Sequence, residues 1–131
     1  MKKYLAILIT IILMTIFIKV PKYVELNNLI LVDGIGVSCR NESYTLFIKE
    51  IIPTKKETGI IYSYKIYEDT NSSINKAYKN IEEKVKKKIY SKEARYIITD
   101  CDKSDKIIKY FNINPKYIKH TKKNIAKEIK E

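Results

Sequence analysis

The chain has 131 residues, room for one domain with an adequate but small core, and a formal net charge of +11 from 26 Lys and Arg against 15 Asp and Glu. Only Arg40 and Arg95 among those cations are arginine, so the bidentate base and phosphate contacts of a nucleic-acid reader are not expected. One histidine, His120, and two cysteines, Cys39 and Cys101, outside any CxxC spacing exclude a zinc or dithiol redox motif.

The first predicted element follows Lys2 and Lys3: Tyr4 to Ile18, "YLAILITIILMTIFI", is uncharged and apolar throughout, the layout of an export signal. At about 1.5 Å per residue it reaches roughly 22 Å, short of the ~30 Å hydrocarbon core. Snorkelling by Lys3 and Lys19 closes the difference. Residues 1–20 therefore read as an uncleaved signal-anchor that carries residues 21–131 as a single domain on the extracytoplasmic side. Two alternatives stay open. One is a cleaved signal peptide, although "KVPKYVE" offers no small residues for cleavage. The other is a buried helix of a soluble fold. Without Lys2 and Lys3 the net charge is still +9, which suits generic solvation, anionic lipid or an anionic wall polymer.

Leu29 to Val37 reads as a strand interrupted by Gly34 and Gly36, "RNES" (40–43) as a turn, and Tyr44 to Ile52 as a second strand with Tyr44, Leu46 and Ile48 on one face. Pro53 and "TKKETG" form a loop. Gly59 to Tyr67 is a third strand on which Tyr62 and Tyr64 share a face with Ile60 and Ile66, the pattern of a packed strand. Cap-type residues at Asn71-Ser72-Ser73 then open an amphipathic helix carrying Ile74, Ala77, Tyr78, Ile81, Val85 and Ile89. Glu82 with Lys86 and Glu83 with Lys87 form its i,i+4 pairs. Arg95 to Thr99 is a short buried strand. Asp102 or Ser104 caps a helix carrying Ile107, Ile108 and Phe111 that Pro115 ends, and Thr121 caps a last helix with Ile125 and Ile129. The order is α+β: after the N-terminal membrane-anchor helix, a small, mostly antiparallel sheet with two or three helices packed on one face.

Candidate chemistry is sparse. "DGIG" (33–36) lacks the third glycine of a dinucleotide fingerprint, Cys39 standing there, and a strand rather than a helix follows. Gly34 and Gly36 instead mark a bulge or a close backbone approach. Asp100, Asp102 and Asp105 lack the glycine and distal glutamate of a calcium loop, and helix capping accounts for them. Cys39 and Cys101 read most simply as buried free thiols; a single disulfide between them is the alternative for an exported domain. No catalytic residue, metal ligand, cofactor or small-molecule substrate is expected, and the chain is not read as an enzyme.

The stretch "ELNNLILVDGIGVS" (25–38), a few residues after the membrane-targeting segment, resembles the start of the Ger(x)C family, the C subunits of bacterial spore-germination nutrient receptors. Those proteins typically read E-L-N-x-L-x-x-V-x-G-I-G-I-D. Glu25, Leu26, Asn27, Leu29, Val32, Gly34, Ile35 and Gly36 match in order. "SSINKAYKNI" (72–81), "KKIYSKEARYIITD" (87–100) and "DKIIKYFNINPKY" (105–117) resemble later family segments in the right order. The likeness covers roughly residues 20–117 and only the family's first domain. Val20 stands at the lipidated cysteine, Glu93 where a histidine is common, and "NINPKY" lacks the family's R-D-P-E charges.

The resemblance implies a non-catalytic, membrane-tethered subunit in germinant sensing. Its partners would be integral-membrane proteins, including other receptor subunits, and its sheet or the Gly34–Gly36 segment would contact them. Two rivals are a divergent cell-envelope adaptor outside germination and a membrane-anchored binder of anionic polymer. The latter would use the Lys84–Lys88 and Lys116–Lys123 stretches.

Overall fold

A computed structural model describes residues 25–102 and 104–130, and the chain enters them through a 3-10 turn, Leu26–Asn28, that runs into β1, Leu29–Arg40. The predicted anchor, residues 1–20, lies outside the described residues. Among those described, no helix is long and apolar enough to cross a membrane.

β1 is the hub of the sheet. It pairs antiparallel with β2, Ser43–Lys56, which pairs antiparallel with β3, Gly59–Asn71. Its other side pairs parallel with β4, Lys88–Tyr90, and with β5, Tyr96–Thr99; β6, Tyr117–His120, adds parallel to β5. The strand order is β3-β2-β1-β5-β6, with β4 beside the first half of β1. The sheet is mixed: its two long pairings are antiparallel and hold most of the paired residues, and three short parallel ones join them.

The apolar spacing of β1 explains its irregularity. Ile30 and Val32 lie two apart, Ile35 and Val37 lie two apart, but three positions separate Val32 from Ile35. In a regular strand one pair would face away from the core. A bulge between Val32 and Gly34, with Asp33 as the extra residue, restores the phase: Val32 opposes Glu50 and Ile35 opposes Ile48. All four apolar residues then join Leu46, Ile48 and Ile97 in the main core.

That core is closed by α1, Ile74–Val85, through Ala77 and Ile81, and by α2, Ser104–Phe111, through Ile107 and Phe111. The Ser73 hydroxyl caps α1 by accepting from the Lys76 N–H at 3.3 Å. The helix ends four residues before the predicted Ile89, with Lys86 in the left-handed conformation (φ 56°). Ile89 belongs to β4. Two α1 side chains hold it there: Glu82 Oε1 accepts its N–H at 2.9 Å, and the Tyr78 hydroxyl donates to its carbonyl at 2.9 Å. Glu82 therefore pairs with Lys88 (3.0 Å) in place of the predicted Lys86, and Lys87 meets buried Glu50 (3.5 Å) in place of Glu83.

The helices do not share one face. Short α3, Ile125–Glu128, is capped by Asn124 and not by Thr121, and it packs Ile125 and Ile129 on the opposite side of the sheet, against Phe47, Tyr96 and Ile98. Gly36 makes this possible, since a Cβ there would stand 2.9 Å from Ile125 and 3.1 Å from Phe47. Of the two readings of Gly34 and Gly36, bulge or close approach, both hold.

Of the predicted loop at Pro53 and 54–59, only residues 57–58 are a turn; 53–56 and Gly59 belong to strands. β2 and β3 extend past the last β1–β2 pair as a hairpin arm that closes on the pair Lys56 and Gly59, the latter at φ +132°. Pro53 sits in this arm opposite Tyr62, where no β1 strand asks for its missing N–H.

Cys39 and Cys101 are joined in a disulfide with Cα atoms 5.2 Å apart. The free-thiol reading is therefore corrected. The pairing follows from the parallel ladder, which ends at Val37 opposite Thr99 and brings the two cysteines together just beyond it. Asp100 does not cap a helix: its carboxylate accepts from the Cys39 N–H and the Ser38 hydroxyl, each at 2.7 Å, closing the same seam.

Candidate functional site

Residues opposite one another across a sheet point to the same face, so the register places Ile66, Lys49, Gly34, Tyr96 and Tyr117 in one row from β3 to β6. The neighbouring row runs Glu68, Phe47, Gly36, Ile98 and Lys119, and α3 covers its middle. Beside α3 the first row stays open as the floor of a cleft of about 460 Å³.

Three features shape this floor. Gly34 has no side chain, and the Tyr96 ring lies over it where any Cβ would collide. Tyr117 stacks on Tyr96 with centroids 5.5 Å apart and planes 11° from parallel. Lys49 lies under this aromatic layer, 6% exposed, with its ammonium 4.9 Å from the Tyr64 ring centroid and 5.9 Å from that of Tyr96. Burial and the nearby Asp33 charge push the Tyr96 phenol up to about 12, so it is a neutral hydroxyl donor at physiological pH.

The Asp33 bulge supplies the rim. Its carboxylate is 4% exposed and takes Nε and Nη2 of Arg95 at 2.6 Å, while its carbonyl accepts the Arg95 N–H at 2.8 Å. The Lys116 N–H in turn bonds the Arg95 carbonyl at 2.8 Å, fixing the start of β6 beside the cleft. Lys119 pairs with Glu128 of α3 at 2.7 Å. The lining thus holds five cations, Lys49, Arg95, Lys116, Lys119 and Lys130, against two carboxylates, Asp33 and Glu128. Both carboxylates are already engaged by Arg95 and Lys119.

The residues singled out in the sequence lie elsewhere or beneath this site. Glu25 precedes the 3-10 turn, where its carbonyl accepts the Asn28 N–H at 2.8 Å, and Leu26 and Asn27 form that turn. Gly34 and Gly36 are buried under Tyr96 and α3, so the Gly34–Gly36 segment offers no surface to a partner. The Lys84–Lys88 run is largely consumed internally, Lys84 on Asp69, Lys87 on Glu50 and Lys88 on Glu82. Cys39, Asp100 and Cys101 form the one acid–sulfur grouping among the described residues, with both sulfurs in the disulfide and the carboxylate taken by Ser38 and Cys39.

The Tyr62–Tyr64 face, read as packed, is open instead: Ile60, Tyr62 and Tyr64 are 61%, 55% and 49% exposed. The arm reaches past β1, so none of the described residues covers it. Lys49, Asp33 and Tyr96 escaped the sequence reading. The one available signal was a lysine between Phe47 and Ile51 on the second face of an otherwise apolar strand.

Scans of the chain against protein-family models, curated proteins and solved structures return no match.

Proposed function

We propose that the protein is a non-catalytic domain, tethered to the outer face of a membrane by Tyr4–Ile18, that works by binding integral-membrane partners in the manner of a germinant-receptor C subunit. The observation that carries this reading is the β2–β3 arm. Among the described residues its outer strand β3 is the edge of the sheet, with no strand paired to its outer side along thirteen residues. Ile60, Ile61, Tyr62 and Tyr64 are exposed on it. Natural edges of this length are usually blunted or covered, and an apolar one is a template for adding a partner strand. The Cys39–Cys101 disulfide supports an oxidising, extracytoplasmic location. The likeness of residues 25–36 to the Ger(x)C signature supports the choice of germination over other envelope roles.

The test is capture from native membranes of the full chain carrying a photo-crosslinking residue at Tyr62. A defined set of integral-membrane partners is expected, reduced to background by Ile61→Glu. Recovery of the protein alone, or of the same partners from the Ile61→Glu chain, sinks the proposal.

A further inference from the structure

Lys49 is the unexplained residue of this fold. A buried cation is costly unless an anion or hydrogen-bond acceptor compensates it. Among the described residues Lys49 forms neither an ion pair nor a hydrogen bond, only the contacts with the Tyr64 and Tyr96 rings. Arg95, equally close to the cleft, is matched by Asp33, and Lys119 by Glu128. Among the described residues, carboxylates thus meet two of these cations, and none meets Lys49, Lys116 or Lys130.

We infer that the cleft between the Lys49–Tyr96 row and α3 is a binding site for a phosphate monoester, whose oxyanion is the missing partner of the Lys49 ammonium. The excess of three positive charges suits a dianion better than a lone carboxylate. Lys49 takes the phosphate from the floor, Lys116 and Lys130 from the exposed rim, and the Tyr96 hydroxyl donates a hydrogen bond. The Tyr96–Tyr117 stack offers an apolar wall to whatever the phosphate esterifies. Gly34 is required because only a bare backbone lets Tyr96 lie flat across the floor. The site shares Tyr64 and its sheet face with the hairpin arm, but the proposed phosphate contacts, Lys49, Tyr96, Lys116 and Lys130, lie on β2, β5 and beyond, so phosphate binding is tested without any strand added at the β3 edge.

The experiment is calorimetric titration of the full chain in neutral detergent, at low ionic strength, with glycerol 3-phosphate and, separately, with dihexanoyl phosphatidic acid. Saturable one-site binding is expected. Binding of the soluble ester assigns a free ligand, and binding of the short-chain lipid alone assigns a headgroup. Lys49→Met should weaken the bound probe roughly ten- to a hundredfold while leaving the melting temperature unchanged or higher, since it removes a buried charge. A core lysine of merely structural value would lower it. Lys116→Gln with Lys130→Gln, both at exposed positions, should weaken binding a further few-fold without touching the fold, and Lys86→Gln on the α1 side should have no effect. The inference is overturned if neither probe binds, if Lys49→Met binds as the parent does, or if Lys86→Gln weakens binding as much as the cleft variants. Should Lys49→Met fail to fold, unchanged affinity in the Lys116→Gln/Lys130→Gln chain overturns it instead.

Discussion

Gly34 and Tyr96 occupy directly opposed positions on β1 and β5, and the ring fills the space a β-carbon would need. Gly34→Ala must therefore displace Tyr96 against Tyr117 and Lys49, an overpacking expected to cost about 1–3 kcal/mol. Urea denaturation of Gly34→Ala, alone and combined with Tyr96→Ala, checks this. The alanine should cost much less once the ring is gone, and an undiminished cost in the double variant would place the strain elsewhere. That glycines at 34 and 36 mark a bulge or a close approach was readable from their position in an apolar run. What approaches was not, because Tyr96 and Ile125 lie 62 and 89 residues away from them in the sequence. Lys49 was illegible for a related reason. A lysine in an alternating strand normally faces water, and only the arrival of β5, β6 and α3 on that face buries it.

At the level of elements, α3 is a single turn held by Ile125, by Ile129 just beyond it and by Glu128. The Glu128 carboxylate accepts from Thr121 at 2.8 Å and pairs with Lys119. Hydrogen bonding from Lys119, and then from Thr121, holds its carboxyl below the ordinary value of 4.5. A folded value below the unfolded one contributes stability that is present above pH 4.5 and is lost as pH falls through the folded value. Amide exchange in α3 should accelerate relative to α1 as the solution is acidified below that point, and Glu128→Gln should abolish the pH dependence. Equal acid sensitivity in the Gln variant would refute the assignment. The elements differ in how readily they were foreseen. β2 and β3 announced themselves by alternation, β1 by its run of aliphatic and β-branched residues, and α1 by its cap and apolar stripe. β6 did not: Tyr117 to His120 are all exposed and carry no alternating burial, their strand state resting on backbone pairing with β5. Ile89 fitted the helical spacing of α1 and was claimed for β4 by Glu82 and Tyr78. Amphipathicity gave α3 an apolar face but did not say which side of the sheet that face would meet.

For the molecule as a whole, the disulfide between positions 62 residues apart is the main covalent constraint, worth about 4 kcal/mol by the chain-entropy relation. Reduction, or the paired Cys39→Ala and Cys101→Ala chain, should lower the melting temperature markedly while preserving the far-ultraviolet spectrum at low temperature. Identical melting with and without reductant would show that the bond contributes nothing. The pairing could not be deduced from the sequence, since a lone pair of cysteines at long separation carries no motif; it is set by the parallel register of β1 with β5. The central position of β1 has a mechanical side as well. The chain enters the domain at the head of this strand, which is flanked by β2 on one side and by β4 and β5 on the other. A pull through that end, such as a membrane tether would transmit, loads both ladders in shear, so many hydrogen bonds must fail together rather than one after another. The far end of the strand is bolted to Cys101 and Asp100, so the applied force passes into β5 and the body of the domain. A domain built this way bears tension applied at its head without opening strand by strand.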